Sequence, residues 1–126
     1  MTPFLVREMT IPTEIRLKKE LRVLVIRFDD GSEFEYTFEY LRVHSPSAEV
    51  RGHGPGQETH QVGKADVRIT AIEPVGHYAV KLVFDDGHDS GLYDWQYLYR
   101  LGEDMERNWQ SYLDRLEAAG YPRQNQ

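Results

Sequence analysis

The 126-residue sequence contains no cysteine. Disulfide bonds, thiolate nucleophiles and metal sites held by this chain's own thiolates are therefore excluded. No apolar run approaches the roughly 20 residues that a membrane-spanning helix needs. The first residues also lack the basic region and the small-residue cleavage site of a signal peptide. These absences predict a cytoplasmic protein without a membrane partner.

The chain also has fewer basic than acidic residues. The chain has 15 lysines and arginines against 21 aspartates and glutamates, a net charge of −6. Neither sign gathers into a long block, so the basic patch of a nucleic-acid-binding protein is missing. We expect no nucleic-acid partner.

A unit that occurs twice is the strongest positive feature. Phe-Asp-Asp-Gly stands at 28–31 and again at 84–87, and each copy leads to a related segment, Phe-Glu-Tyr-Leu at 38–41 and Trp-Gln-Tyr-Leu at 95–98. Each Asp-Gly pair predicts a tight two-residue hairpin turn with left-handed backbone. Thr37 and Asp94 precede the related segments and are predicted to cap short helices. The sequence therefore predicts two pseudo-repeated units, each a β-hairpin plus a short helix.

The C-terminal part carries an apolar stripe at helical spacing. It predicts an amphipathic helix over about 102–119, packed on the sheet and ended by Gly120. The expected fold class is thus α+β. We expect a single domain over 1–126, with an ordered core at about 13–120, a Gly- and Pro-rich loop at 44–65 and a tail at 121–126. The stripe consists of Leu101, Met105, Trp109, Tyr112, Leu113 and Leu116.

Two longer segments, residues 40–54 (YLRVHSPSAEVRGHG) and residues 84–93 (FDDGHDSGLY), carry a family resemblance. Over roughly residues 13–120 the chain resembles the DUF971 family, the gamma-butyrobetaine hydroxylase-like N-terminal domain. The resemblance implies a domain that also occurs joined to oxygenases and to nucleotide-dependent iron–sulfur carriers of the Mrp type. It implies no activity for the domain standing alone.

The resemblance also implies a structural zinc, which larger relatives hold with three cysteines and one histidine. The cysteine positions fall on Ser45, Ser47 and approximately Val50, and the histidine position falls on His88. A serine hydroxyl stays protonated near neutral pH and valine has no ligand atom, so a thiolate-rich zinc site cannot form. We expect no metal and no cofactor. In their place we expect a hydrogen-bonded cluster, with the two serines bonding loop backbone or His88.

Three other interpretations of the same region stay open at this point. Loop histidines could gather a metal ion with His88, although their spacing matches no metal motif. The acidic residues around His88 could form an acid–base pair with it, although acidic hairpin turns are common for conformational reasons. Basic residues of the loop could instead recognise an acidic partner. The residues of this predicted interaction surface are Arg42, His44, Arg51, His53 and His88.

The leading prediction is a non-catalytic interaction or accessory module. It would act with a separate protein, an oxygenase or an iron–sulfur carrier or assembly factor. The alternative is a metal-binding accessory domain that uses His88 and loop histidines. A small independent enzyme has the least support, because no nucleophile–base pair or cofactor motif can be recognised in the sequence.

Overall fold

The computed structural model of the protein describes residues 10–47 and 63–121. Most of the predicted loop, including Val50, Arg51 and His53, and the tail beyond Tyr121 lie outside these residues. The first unit consists of strands β1 (Pro12–Lys18), β2 (Val23–Phe28) and β3 (Glu33–Thr37), followed by helix α1 (Phe38–Val43). The second unit consists of β4 (Ile69–Val75), β5 (Ala79–Phe84) and β6 (Leu92–Asp94), followed by α2 (Trp95–Glu103). Helix α3 (Met105–Ala118) is the last element.

Each unit is a three-stranded antiparallel sheet in sequence order, β1-β2-β3 and β4-β5-β6. Both sheets have a register shift near the start of the first strand, at Thr13 and at Thr70. Each of these threonines donates its hydroxyl to a carbonyl of the neighbouring strand, over 3.2 Å in both cases. A bulge with the same side-chain bond confirms that the sequence repeat is a structural repeat.

The first hairpin loop differs from the predicted two-residue turn. The amide of Gly31 donates to the carbonyl of Phe28 (3.0 Å), and the amide of Phe28 donates to the carbonyl of Ser32 (2.8 Å), which makes a three-residue loop. Only Gly31 has a positive φ, +91°, whereas a two-residue type I′ turn would need Asp30 there too. The Asp30 side chain instead accepts from the Ser32 amide (2.9 Å), which stabilises the longer loop.

The second hairpin loop has the same construction. Gly87 donates to the carbonyl of Phe84 (3.2 Å) and Phe84 donates to the carbonyl of His88 (3.0 Å). Gly87 has a φ of +88°, and the Asp86 side chain accepts from the His88 amide (3.3 Å). Both turns therefore belong to one backbone class.

The predicted helix caps are confirmed. Thr37 accepts a hydrogen bond from the Tyr40 amide (3.1 Å), and Asp94 accepts one from the Tyr97 amide (2.7 Å). These side chains satisfy amide groups that have no partner inside the first helical turn.

The predicted C-terminal helix is two helices. Residues 101 and 102 belong to α2, the chain bends at Asp104, and α3 begins at Met105. Gly102 lies against the ring of Phe34, so its helix stays on the first sheet while α3 takes a new direction. The end of α3 is as predicted: Gly120 has a φ of +84°, and the Tyr121 amide donates to the carbonyl of Leu116 over 2.8 Å.

The core is built from both units. Buried side chains of the strands meet those of α1 and α2, and α3 adds Met105 and Trp109 at its edge. The predicted core positions Phe38, Leu41 and Leu98 are buried, whereas Trp95 is only partly buried and donates to the carbonyl of His77 (2.9 Å). The largest fully buried side chains are Tyr36, Tyr40, Tyr93, Phe28, Phe38, Leu24 and Ile26.

Helix α3 covers α1. Its Tyr112 and Leu116 form a second cluster with Val43, and the Tyr112 hydroxyl donates to the buried carboxylate of Glu39 (2.8 Å). None of the helices in residues 10–47 and 63–121 is long and apolar enough to cross a membrane.

Candidate functional site

The candidate site is a cluster of Ser45, Ser47 and His88, called here the Ser/His cluster. The Ser45 hydroxyl oxygen lies 2.8 Å from His88 Nε2, and the Ser47 hydroxyl oxygen lies 3.4 Å from the same atom. The Ser47 amide donates to the Ser45 hydroxyl over 3.4 Å. The three residues are 1%, 8% and 6% exposed. The expected hydrogen bonds between the serines and His88 are therefore present, in a buried position.

Two chain segments meet in this cluster. Ser45 follows α1, where its amide donates to the carbonyl of Arg42 (3.3 Å). His88 follows the second hairpin loop, and the Asp86 side chain fixes its amide. Gly91 completes the fit, because a Cβ atom there would lie 2.3 Å from the Ser45 hydroxyl oxygen.

Arg42 lies next to the cluster but is not the exposed cation that the sequence suggested. It is 7% exposed, and its Nε donates to Asp86 over 2.9 Å. Lys64 donates to the same carboxylate oxygen over 2.7 Å. Partial burial opposes ionisation of Asp86, but the Lys64 hydrogen bond and the Arg42 charge outweigh it and lower the pKa of this carboxyl.

His44 belongs to the helix layer. Its Nδ1 lies 2.9 Å from the carbonyl of Tyr40, and since a carbonyl only accepts, Nδ1 carries the proton. The His44 carbonyl in turn accepts from the Tyr97 hydroxyl over 2.6 Å. Burial lowers the pKa of His44.

Tyrosine hydroxyls join the two units, a feature that was not predicted from the sequence. Tyr36 donates to the carbonyl of Leu98 (2.7 Å), and Tyr93, 57 residues later, donates to the carbonyl of Leu41 (2.6 Å). Burial raises the pKa of both phenols. The recurrence of tyrosine at this spacing was the signal that could have revealed the bonds.

A second pair of tyrosines repeats the pattern. Tyr40 donates to the carbonyl of Leu101 over 2.7 Å, the counterpart of the bond from Tyr97 to His44. Burial raises the pKa of Tyr40 to about 12. Each helix is thus fixed by hydroxyls from the other unit.

The chemistry open to the Ser/His cluster is restricted by its burial. A serine 2.8 Å from an imidazole nitrogen has the spacing of a nucleophile and its base. However, a substrate carbonyl must reach the serine oxygen, and Ser45 is 1% exposed. The neighbouring acids are engaged in structure too, since Asp85 accepts from the Arg68 amide (3.0 Å) and Asp86 pairs with Arg42. The structural interpretation of the acidic turn is the better supported one.

The cluster does not fit the zinc that the family resemblance implies. Its donor atoms are two hydroxyls and one imidazole, and the third cysteine position, Val50, lies outside the described residues. Neutral hydroxyls are weak ligands for zinc compared with thiolates. Within residues 10–47 and 63–121, no group of three or more histidine, aspartate or glutamate side chains could hold a metal ion.

Comparison with known proteins places the chain in a family. The family model described as gamma-butyrobetaine hydroxylase-like, N-terminal, matches residues 15–99. The chain belongs to this family, also known as DUF971. One related crystal structure, from Acidithiobacillus ferrooxidans, is of a DUF971 protein with unknown function. It is 42% identical, with a TM-score of 0.60, and the match covers 72% of this chain and 91% of the other.

Two solution structures determined by NMR are more similar. One is 46% identical with a TM-score of 0.79, and the match covers 92% of this chain and 91% of the other. The second is 50% identical with a TM-score of 0.76, and the match covers 98% and 90%. A search of curated proteins gave no match.

Proposed function

We propose that this DUF971 domain is a non-catalytic interaction or accessory module that acts with a separately encoded protein, an oxygenase or an iron–sulfur carrier. The family match is to the N-terminal part of a hydroxylase-like protein, which supports an accessory role. The engagement of the buried Ser/His cluster and of the partly exposed Asp86 in contacts within the fold also supports it. These contacts give the side chains a structural role.

The observation that carries the proposal is a groove between α1 and α3. It has a volume of about 400 Å³ and walls that are mostly apolar. Glu106 adds one exposed carboxylate to its rim. These apolar walls and the carboxylate favour a partner segment that is apolar and carries a basic side chain. The net charge of −6 also favours a basic partner. The groove is lined by Thr37, Tyr40, Met105, Glu106 and Trp109.

The groove is held in shape before any partner binds. The Tyr40 hydroxyl donates to Leu101 and accepts from Asn108 Nδ2 over 3.1 Å, which fixes the ring that forms its floor. The bond from Tyr112 to Glu39 ties the opposite wall to α1. A preorganised surface loses less conformational entropy on binding.

The surface predicted from the sequence contributes less than expected among the described residues. Arg42 and His88 are buried and His44 is partly buried, so these side chains offer little contact area. Arg51 and His53 lie outside the described residues, and their role stays a prediction.

The experiment is affinity capture from the source cells with the wild-type protein, Met105→Glu and Leu92→Glu. Leu92 is the matched control, an apolar side chain 46% exposed on β6 and away from the groove lining. We expect mass spectrometry to identify an oxygenase or an iron–sulfur carrier with wild type and Leu92→Glu, and its loss with Met105→Glu. Because Met105 packs at the edge of the core, its variant should melt at a lower temperature, and its circular dichroism spectrum at the capture temperature establishes that it is still folded. Equal capture by all three folded proteins, or no such partner with any, would contradict the proposal. Elemental analysis of untagged protein tests the metal-binding alternative.

A further inference from the structure

The Ser/His cluster has the arrangement of a small chelate. Two oxygen atoms from one segment and a ring nitrogen from another converge, with oxygen-to-nitrogen distances of 2.8 and 3.4 Å. In a tetrahedral zinc site, bond lengths of about 2.0–2.3 Å place neighbouring ligand atoms roughly 3.3–3.8 Å apart. The distance from Ser45 to His88, 2.8 Å, is shorter than in a metal site, as a direct hydrogen bond requires, whereas the distance from Ser47 to His88, 3.4 Å, lies within that range.

The corresponding place beside the first hairpin loop is filled without polar groups. The positions that correspond to Ser45 and Gly91, 57 residues away along the sequence, are Gly102 and Phe34. There the aromatic ring is the large partner, and a Cβ atom on Gly102 would lie 2.4 Å from it. Beside the second hairpin loop the glycine is Gly91, which directly precedes β6. The space next to it is filled by Ser45.

We propose that the Ser/His cluster is a metal-free replacement on a metal-ligand framework. Hydrogen bonds between Ser45, Ser47 and His88 hold the segment after α1 to the second hairpin, a task that a metal ion could perform with thiolates in place of the hydroxyls. In this chain the three side chains converge as the ligands of a metal would, but hydrogen bonds between them replace the ion. Gly91 is the positioning residue, since it leaves room for the Ser45 hydroxyl.

The first test uses untagged wild-type protein. It should purify with far less than one equivalent of zinc, and a chelator should leave its melting temperature unchanged, because hydrogen bonds and not a metal join the two segments. Ser45→Ala should lower the melting temperature more than Ser90→Ala, a control serine on the exposed surface of the same turn region. Stoichiometric zinc with chelator-induced unfolding, or equal melting temperatures of the two variants, would overturn the proposal.

The second test converts the framework into a metal site. Ser45→Cys with Ser47→Cys should bind one equivalent of Co²⁺, seen by the visible absorption of tetrahedral cobalt thiolate, with loss of the thiol protons. Adding His88→Ala should weaken binding. A control double variant, Ser90→Cys with Ser111→Cys, places two thiols at exposed positions and should show no such spectrum.

The outcome is decisive even if the double variant is unfolded when metal-free. Zinc should then restore the circular dichroism spectrum of the wild type, since metal binding and folding are coupled. Failure to bind Co²⁺ when folded, Co²⁺ binding that is indifferent to His88→Ala, or an unfolded state that zinc does not rescue would each show that the three side chains do not form a ligand framework.

Discussion

The two units of this protein share a backbone plan but fill one corner differently. In both, a buried tyrosine of the third strand bonds the helix of the other unit, Tyr36 to Leu98 and Tyr93 to Leu41. The units differ in the side chains that pack beside each hairpin loop. Beside the first hairpin loop lies an aromatic group, Phe28 and Phe34 of the first unit with Tyr99 of the second, with ring centroids 5.1–6.0 Å apart.

The corner beside the second hairpin loop holds charges and hydroxyls instead. Arg42 stands where the first corner has Tyr99, and it reaches Asp86 just as Tyr99 reaches Asp30. The comparison shows that the reciprocal tyrosine bonds and hairpin loops define the scaffold, while either an aromatic or a polar corner completes it. The differences are therefore the places to look for properties specific to one unit.

The helices differ in the same way. All six residues of α1 are buried: α3 covers Glu39 and Val43, and the main core and the second hairpin loop cover the others. In α2 only Leu98, Leu101 and Gly102 are buried, and Gln96 and Arg100 face solvent. The groove proposed as a binding surface lies where α3 packs beside α1.

The largest expected difference between the units lies at the first helix residue. Phe38→Ala should cost about 3–5 kcal/mol of unfolding free energy, because it deletes a ring that is 1% exposed. The counterpart Trp95→Ala should cost less, on the order of 2 kcal/mol, since that ring is only partly buried. Urea unfolding of both variants measures this. Equal losses would mean that the two helices are equally deep in the core.

The next largest losses of unfolding free energy are expected at two glycines that another side chain closely approaches. Gly102→Ala and Gly91→Ala should each cost about 1–3 kcal/mol, because each added methyl group meets atoms at 2.4 or 2.3 Å. The rescue should differ. Phe34→Ala should relieve the first clash and Ser45→Ala the second, in double-mutant cycles followed by thermal unfolding. Additive losses within a pair would contradict the proposed contacts.

A smaller difference is expected at the turn aspartates. Asp86→Asn should cost about 1–2 kcal/mol, because it removes the charge that Arg42 and Lys64 share. Asp30→Asn should cost less, because Asp30 is exposed and its partner is a neutral tyrosine hydroxyl. The loss at Asp86 should also shrink as salt is added. Denaturation at two ionic strengths checks both statements, and the reverse order of losses would refute them.

The smallest effect is a pH dependence that His44 gives to the first unit. Burial, with a further contribution from the charge of Arg115, holds the pKa of His44 below its ordinary value of 6.5, against the hydrogen bond to the Tyr40 carbonyl. As the pH falls, His44 therefore binds a proton at a higher pH in the unfolded chain than in the folded protein. Stability should be level above pH 6.5 and should fall as the pH drops from there towards the folded-state pKa.

The control for this prediction comes from the second unit, which has Leu101 at the corresponding position. His44→Leu should flatten the slope between pH 6.5 and lower values. Melting temperatures of the two proteins across this range give the comparison. An unchanged slope in the variant would assign the titration to another group.

The sequence was sufficient for features that depend on near neighbours. The caps at Thr37 and Asp94, the glycine that ends α3, the alternating strands and the repeat itself follow from residue types at fixed spacing. The family resemblance then led to the bond between Ser45 and His88. The bend at Asp104 was missed because the apolar stripe runs through it without a change of period.

What only the tertiary structure decided concerns residues far apart in the chain. Arg42 looks like a free cation in the sequence and becomes a buried partner of Asp86, because the second hairpin loop returns to the end of α1. The exchange of tyrosine bonds between units has the same origin. Composition and spacing determined an α+β repeat without thiol chemistry. The choice between an exposed cation and a buried ion pair, or between a ring and a polar cluster in one corner, was made by long-range packing, because it depends on which surfaces meet.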